Sequence, residues 1–108
     1  MRDQHALAAP DVLVFEVLSV LRRGVLRGDL RDERASRAVD ALGDLAIELF
    51  RTLPLRRRAW DLRDNFTAAD ALFVGLAEQL REPLATKDGR LVAAARRHTR
   101  AEVVLLGA

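Results

Sequence analysis

The chain has 108 residues, half of them apolar and about a third charged, which is enough for one domain around one hydrophobic core and not for two. It contains no cysteine, which excludes disulfides and zinc–thiolate sites, and its two histidines, His5 and His98, are far apart without ligand-like spacing. The net charge of +2 divides into seven basic and nine acidic residues over positions 1–50 and eleven basic and seven acidic over 51–108, too weak a field to bind nucleic acid by charge alone.

The opening MRDQHALAAP lacks the long apolar core of a signal peptide. The apolar run Val12 to Leu21 is too short to span a bilayer and contains Glu16, so the expectation is a soluble, cytoplasmic protein. Ala6 to Ala9 reads as a brief apolar segment ended by Pro10. Asp11 is placed to cap a helix running to about Arg23 and stopping near Gly24. That helix is apolar nearly all round, which predicts burial. Gly28 and Asp29 mark a turn, and Asp32 is placed to cap a second helix with Ala35, Ala38, Val39 and Leu42 at helical spacing and Gly43 closing it.

Ala46 to Phe50 reads as a strand. Thr52 and Pro54 fit the start of a helix with Leu55, Ala59 and Leu62 on one face, broken by Asp64 and Asn65. The arginine run Arg56, Arg57 and Arg58 reads as a solvated face of that helix. Thr67 opens an alanine-rich helix to about Arg81, Pro83 starts a strand through Thr86, Leu91 to Arg97 is helical, and Glu102 to Leu106 is a last apolar strand. Strands alternating with helices predict an α/β domain, a parallel sheet covered on both faces, with ligands bound beyond the carboxyl ends of the strands. Asp88 lies just past such an end.

Three acids stand among residues that favour burial. Glu16 follows Phe15 and precedes Val17 and Leu18, where a buried carboxylate has to be paired, metal-bound or protonated. Asp70, three residues after Thr67, imitates a capping box with aspartate in place of glutamate. Asp88 before Gly89 is equally a turn residue or the cap of the last helix. Salt bridge, cap and turn are the structural alternatives to one shared role, a site for a hard divalent cation held by oxygen ligands.

The stretch AWDLRDNFTAADALFVGLAEQL followed by PLATKDGRL resembles the second half of a PIN domain, particularly of VapC-type toxins. Asp70, Ala71, Phe73, Leu76 and Ala77 match the family's aspartate-opened helix with the aromatic displaced by one place. Thr86, Asp88 and Leu91 match its T-x-D-x-x-L after the fourth strand, and Pro10, Asp11, Glu16 and Val17 match the early helix that carries its metal-site glutamate. The resemblance runs from Ala6 onward. It implies a three-layer α/β/α PIN-like domain with a parallel sheet, over residues 1–108, with the N-terminal βα unit and its first aspartate missing.

By that resemblance the chain is a metal-dependent endoribonuclease, the toxin of a VapBC-type toxin–antitoxin pair. Glu16, Asp70 and Asp88 would hold Mg²⁺ or Mn²⁺ and the attacking water, and Arg63, Lys87 and Arg90 would hold the RNA backbone. The implied partners are RNA, a cognate antitoxin and a second copy in a homodimer. Two alternatives stand beside it: a catalytically incomplete PIN remnant that only binds an antitoxin or itself, and a small α/β interaction domain whose acids are caps and salt bridges.

Overall fold

Strands alternate with helices in the order expected from the sequence in the computed structural model, which describes residues 7–86 and 88–105. The chain divides into two compact units, Met1–Phe50 and Arg51–Ala108. No helix among the described residues is long and apolar enough to cross a membrane.

The first unit holds β1 (Leu7–Pro10), α1 (Val12–Arg27), α2 (Asp32–Asp44) and β2 (Ile47–Phe50). β1 and β2 run parallel, with Leu7 opposite Ile47 and Pro10 opposite Phe50. Proline has no N–H to give a ladder, so it ends the strand. The next residue, Asp11, carries the pairing on by donating its N–H to the Phe50 carbonyl at 2.8 Å.

Two helix ends differ from expectation. α1 does not stop at Gly24 but runs one turn further to Gly28, which takes the left-handed conformation at φ +80° that glycine adopts without steric penalty. The chain then folds back: the N–H groups of Asp29 and Leu30 both donate to the Gly24 carbonyl, at 2.9 and 3.1 Å. A Cβ on Gly24 would sit 3.1 Å from that of Leu30, so this glycine serves the close approach of the returning chain. At the helix starts, Asp11 occupies the cap position of α1 but makes no side-chain cap bond, and Asp32 is the first residue of α2, one position inside its cap, Arg31. With Glu33 it puts negative charge on the first turn, favourable to the helix dipole.

The expected burial of α1 does not hold. None of its residues is fully buried, and Phe15 is 65% exposed. α1 meets β1 and α2 within its unit, and these cover only part of a surface that is apolar on nearly every side. An apolar groove of about 370 Å³, lined by Leu13, Leu18, Val39, Leu42 and Leu49 among others, lies in this unit.

The second unit begins with a single 3₁₀ turn, Leu53–Leu55, followed by α3 (Arg56–Asp61), α4 (Ala68–Leu80), β3 (Leu84–Thr86), α5 (Gly89–His98) and β4 (Val103–Leu105). β3 and β4 are parallel, Leu84 opposite Val103. Parallel pairing in both units fits the α/β class, each unit contributing one two-stranded pair. The core of the second unit is built from Leu62, Phe66, Ala71, Val74, Leu91, Val92, Ala95 and Val103. α3 and α4 are clasped by Arg58, whose Nε and Nη2 meet the two carboxylate oxygens of Glu78 at 2.7 and 2.9 Å. That hydrogen bonding, outweighing partial desolvation, raises the Arg58 pKa above its ordinary value. Arg58 is thus exposed like Arg56 and Arg57, as expected of a solvated run, and in addition is held against α4 by this ion pair.

Gly75 lies in the buried middle of α4 against this arginine, without a positive φ. An added Cβ would stand 3.6 Å from Arg58 Cγ, ordinary van der Waals contact. Gly75→Ala should therefore stabilise the protein by about 0.5–1 kcal/mol by removing backbone freedom from the unfolded chain. The urea midpoint measures this; a lower midpoint would mean that the helix pair cannot accept one methyl group.

Candidate metal centre

Asp70 is the third residue of α4, and the cap before it fixes its backbone. Thr67 keeps an extended conformation, and its Oγ1 accepts the Asp70 N–H at 3.1 Å, satisfying one of the first-turn N–H groups that lack a helical partner. The return bond of a full capping box, from the Thr67 N–H to the Asp70 carboxylate, is not among the hydrogen bonds formed by the described residues. Capping thus accounts for the Asp70 backbone and not for its carboxylate. The residue is half-buried.

Asp88 is the N-cap of α5. Its Oδ1 accepts the N–H of Arg90 at 2.9 Å and of Leu91 at 3.3 Å, while its own N–H donates to Thr86 Oγ1 at 3.1 Å. The capping reading of this residue is realised, and Oδ2 takes no part in it. Asp70 and Asp88 belong to the second unit, Glu16 to α1 of the first. Glu16 is half-buried beside the exposed Phe15, so the full burial that would compel its carboxylate to be compensated is not present.

Within neither unit, among the described residues, do three or more histidine, aspartate or glutamate side chains gather as a metal-holding group. In the second unit Asp70 and Asp88 each keep carboxylate oxygen that its helix cap does not consume. Such oxygens suit a hard cation of the Mg²⁺ or Mn²⁺ kind. A cleft of about 400 Å³ in the same unit is lined by Ala77, Glu78, Arg81, Glu82, Arg100, Ala101 and Glu102, and by neither aspartate.

Of the expected RNA-contacting cations, Arg90 is exposed in the first turn of α5, and Lys87 lies outside the described residues. Arg63 is exposed just past α3, its Nη1 donates to the Trp60 carbonyl at 3.0 Å, and its guanidinium stacks over the Trp60 ring at 4.6 Å from the centroid. Trp60 is not among the residues that the sequence singles out. Its signal was the spacing of an aromatic residue with Arg56 four before it and Arg63 three after, which places all three on one side of a helical segment.

Residues 1–97 match a family described as PIN domain. The chain is 45% identical over 87 residues to Ribonuclease VapC1 of Mycobacterium tuberculosis, an alignment covering 80% of this chain and 65% of that protein. It is 38% identical over 87 residues to Ribonuclease VapC12 of the same organism, covering 81% of this chain and 65% of the relative. It is 36% identical over 85 residues to VapC ribonuclease Mb0985 of Mycobacterium bovis, covering 79% and 67%. The chain thus spans slightly less than two thirds of the length of VapC1 and VapC12.

Proposed function

Since the chain belongs to the PIN-domain family, we propose that it is a metal-dependent endoribonuclease, the toxin of a VapBC-type toxin–antitoxin pair. In this reading it works in the cytoplasm as one domain, pairs as a homodimer and is silenced by a cognate antitoxin. The observation that carries the reading is the family match over residues 1–97, a stretch that includes Glu16, Asp70 and Asp88. The word ribonuclease in the names of relatives 36–45% identical to this chain supports the choice of RNA as substrate.

By the family resemblance Glu16, Asp70 and Asp88 would be the residues to hold Mg²⁺ or Mn²⁺. When bound, the cation supplies an acidified water and neutralises charge developing on the phosphate. The chain's own contribution is position. The Arg90 and Leu91 N–H groups orient the Asp88 carboxylate in advance, and Thr67 fixes the backbone that presents Asp70. Arg63, Lys87 and Arg90 are proposed to contact backbone phosphates, which sets the register of RNA without reading its sequence.

The test is cleavage of end-labelled RNA by the purified chain. Cutting should require Mg²⁺ or Mn²⁺, stop on adding a chelator and resume when the cation is restored. A cooperatively folded chain that binds an antitoxin and cuts nothing with either cation would replace this reading with the binding-only one.

A further inference from the structure

α3 presents two different sides. Arg58 turns to α4, where its Cγ stands 3.6 Å from the position of a Gly75 Cβ and its guanidinium engages Glu78. At about 100° per residue, the positions two before and two after it, Arg56 and Trp60, face away from α4. Trp60 is 60% exposed, and one face of its ring carries the Arg63 guanidinium. Both flanking arginines are anchored to the backbone, Arg56 Nη1 on the Leu53 carbonyl and Arg63 Nη1 on the Trp60 carbonyl, each at 3.0 Å. Each keeps further N–H groups for an outside partner, because a guanidinium has five donors and no acceptor.

We propose that Trp60, stacked on Arg63 and flanked by Arg56, is a base-stacking subsite for single-stranded RNA, a positioning element for the substrate of the nuclease proposed above, on which it rests. An indole or a guanidinium plane offers any unpaired base a flat partner, and the arginines beside it have donors for the adjoining phosphates. Stacking dominates over charge in this arrangement. Asp61 and Asp64 lie in the same short segment, and Arg58 is already neutralised by Glu78, so the local excess of positive charge is small. A protein partner would prefer a broader apolar surface around the ring. Among the exposed residues of positions 53–65, only Leu53 and Pro54 are apolar besides Trp60, and all the others except Asn65 are charged.

Trp60 is the chain's one tryptophan and there is no tyrosine, so indole fluorescence reports this ring alone. The whole chain, in chelator to prevent cutting, is titrated with a short single-stranded oligoribonucleotide. The indole should be quenched by that RNA and not by the same sequence as a duplex or by an abasic oligomer of equal length. With labelled RNA, Trp60→Leu should bind about tenfold more weakly, and Trp60→Phe within about threefold of the parent. Arg63→Lys, which keeps the charge and loses the plane, should weaken binding as well.

Binding without quenching, or equal binding of the abasic oligomer, would overturn the subsite while leaving the nuclease reading intact. A concentration-dependent blue shift without RNA would also overturn it, by giving the ring to a second copy of the chain. Quenching with no cleavage under any cation would keep the subsite and remove the nuclease. Because the ring is mostly exposed, Trp60→Leu should unfold at the parent's urea midpoint, which separates lost binding from lost structure.

Discussion

With Asp70 in the role proposed for it, Asp70→Asn should lower cation-dependent RNA cleavage by about a thousandfold, because a metal ligand that loses its charge would forfeit several kcal/mol of stabilisation on the developing phosphate charge. The amide keeps the shape of the side chain. Its structural cost is small: the cap bond of α4 uses the backbone N–H of residue 70, not its carboxylate, so only the favourable placement of an acid on the first turn is lost, about 0.3–1 kcal/mol. Asp88→Asn should lose cleavage to a similar degree while α5 keeps its cap, since asparagine and aspartate cap about equally. Thr67→Ala should show a different pattern: stability falls by about 1 kcal/mol, and cleavage, through the loosened first turn that presents Asp70, falls far less than in Asp70→Asn. Initial rates and urea midpoints on the same three preparations separate these outcomes. An Asp70→Asn protein that cuts at the parental rate would strip this residue of any role in holding a cation.

Phe66→Ala should cost about 3–5 kcal/mol, a large fraction of the 5–15 kcal/mol that holds a typical domain together. Phe66 is 8% exposed and belongs to the same core cluster as Ala71. It stands one residue before the Thr67 cap, with Ala71 at the fourth helical position after that cap, the spacing of a hydrophobic staple. The phenyl ring therefore does two things: it fills the core and sets the angle at which the chain enters α4. Losing it should loosen the first turn, and with it Asp70. Phe66→Leu, which keeps most of the apolar area, should cost less than about 1.5 kcal/mol. Chemical denaturation of the two variants checks this, and a cost below about 1 kcal/mol for the alanine change would mean that the ring is not part of a tightly packed core.

Where a side chain determined its own local structure, the sequence was readable. Thr67 caps α4 and Asp88 caps α5 as expected, because a short oxygen-bearing side chain before a helical run has one cheap way to satisfy the free N–H groups. The glycines of α1 were not readable in the same way. Gly24 and Gly28 look alike as helix stops, and only the return of Leu30 against Gly24 makes the later one the end. Asp32 lies one residue inside the cap position expected for it, because an acid favours the first turn almost as much as the cap. α1 departs from its expected burial because an apolar sequence states that a helix can be covered, not what covers it. Of the candidate site, spacing and resemblance single out Glu16, Asp70 and Asp88, whose shared role is a proposal, while the structure shows the local caps around two of them. The Trp60–Arg63 stack depends on a guanidinium rotamer and a tie to a carbonyl, and neither leaves a mark on the sequence beyond a three-residue interval.

The two parallel pairs differ in how much chain has to be gathered before they can form. Leu84 meets Val103 across about 20 residues, and Leu7 meets Ile47 across about 40. The loop-closure difference is only about 0.6 kcal/mol, but the longer loop contains two whole helices that must both be in place. In the second unit α3 and α4 are near neighbours in sequence, already joined by Arg58 and Glu78, so its contacts are local and quickly made. Synthesis runs in the opposite order. On the ribosome β1 emerges before β2 and waits for its partner until Phe50 has been added, and through that interval α1 follows it with Phe15 and Leu18 open to solvent.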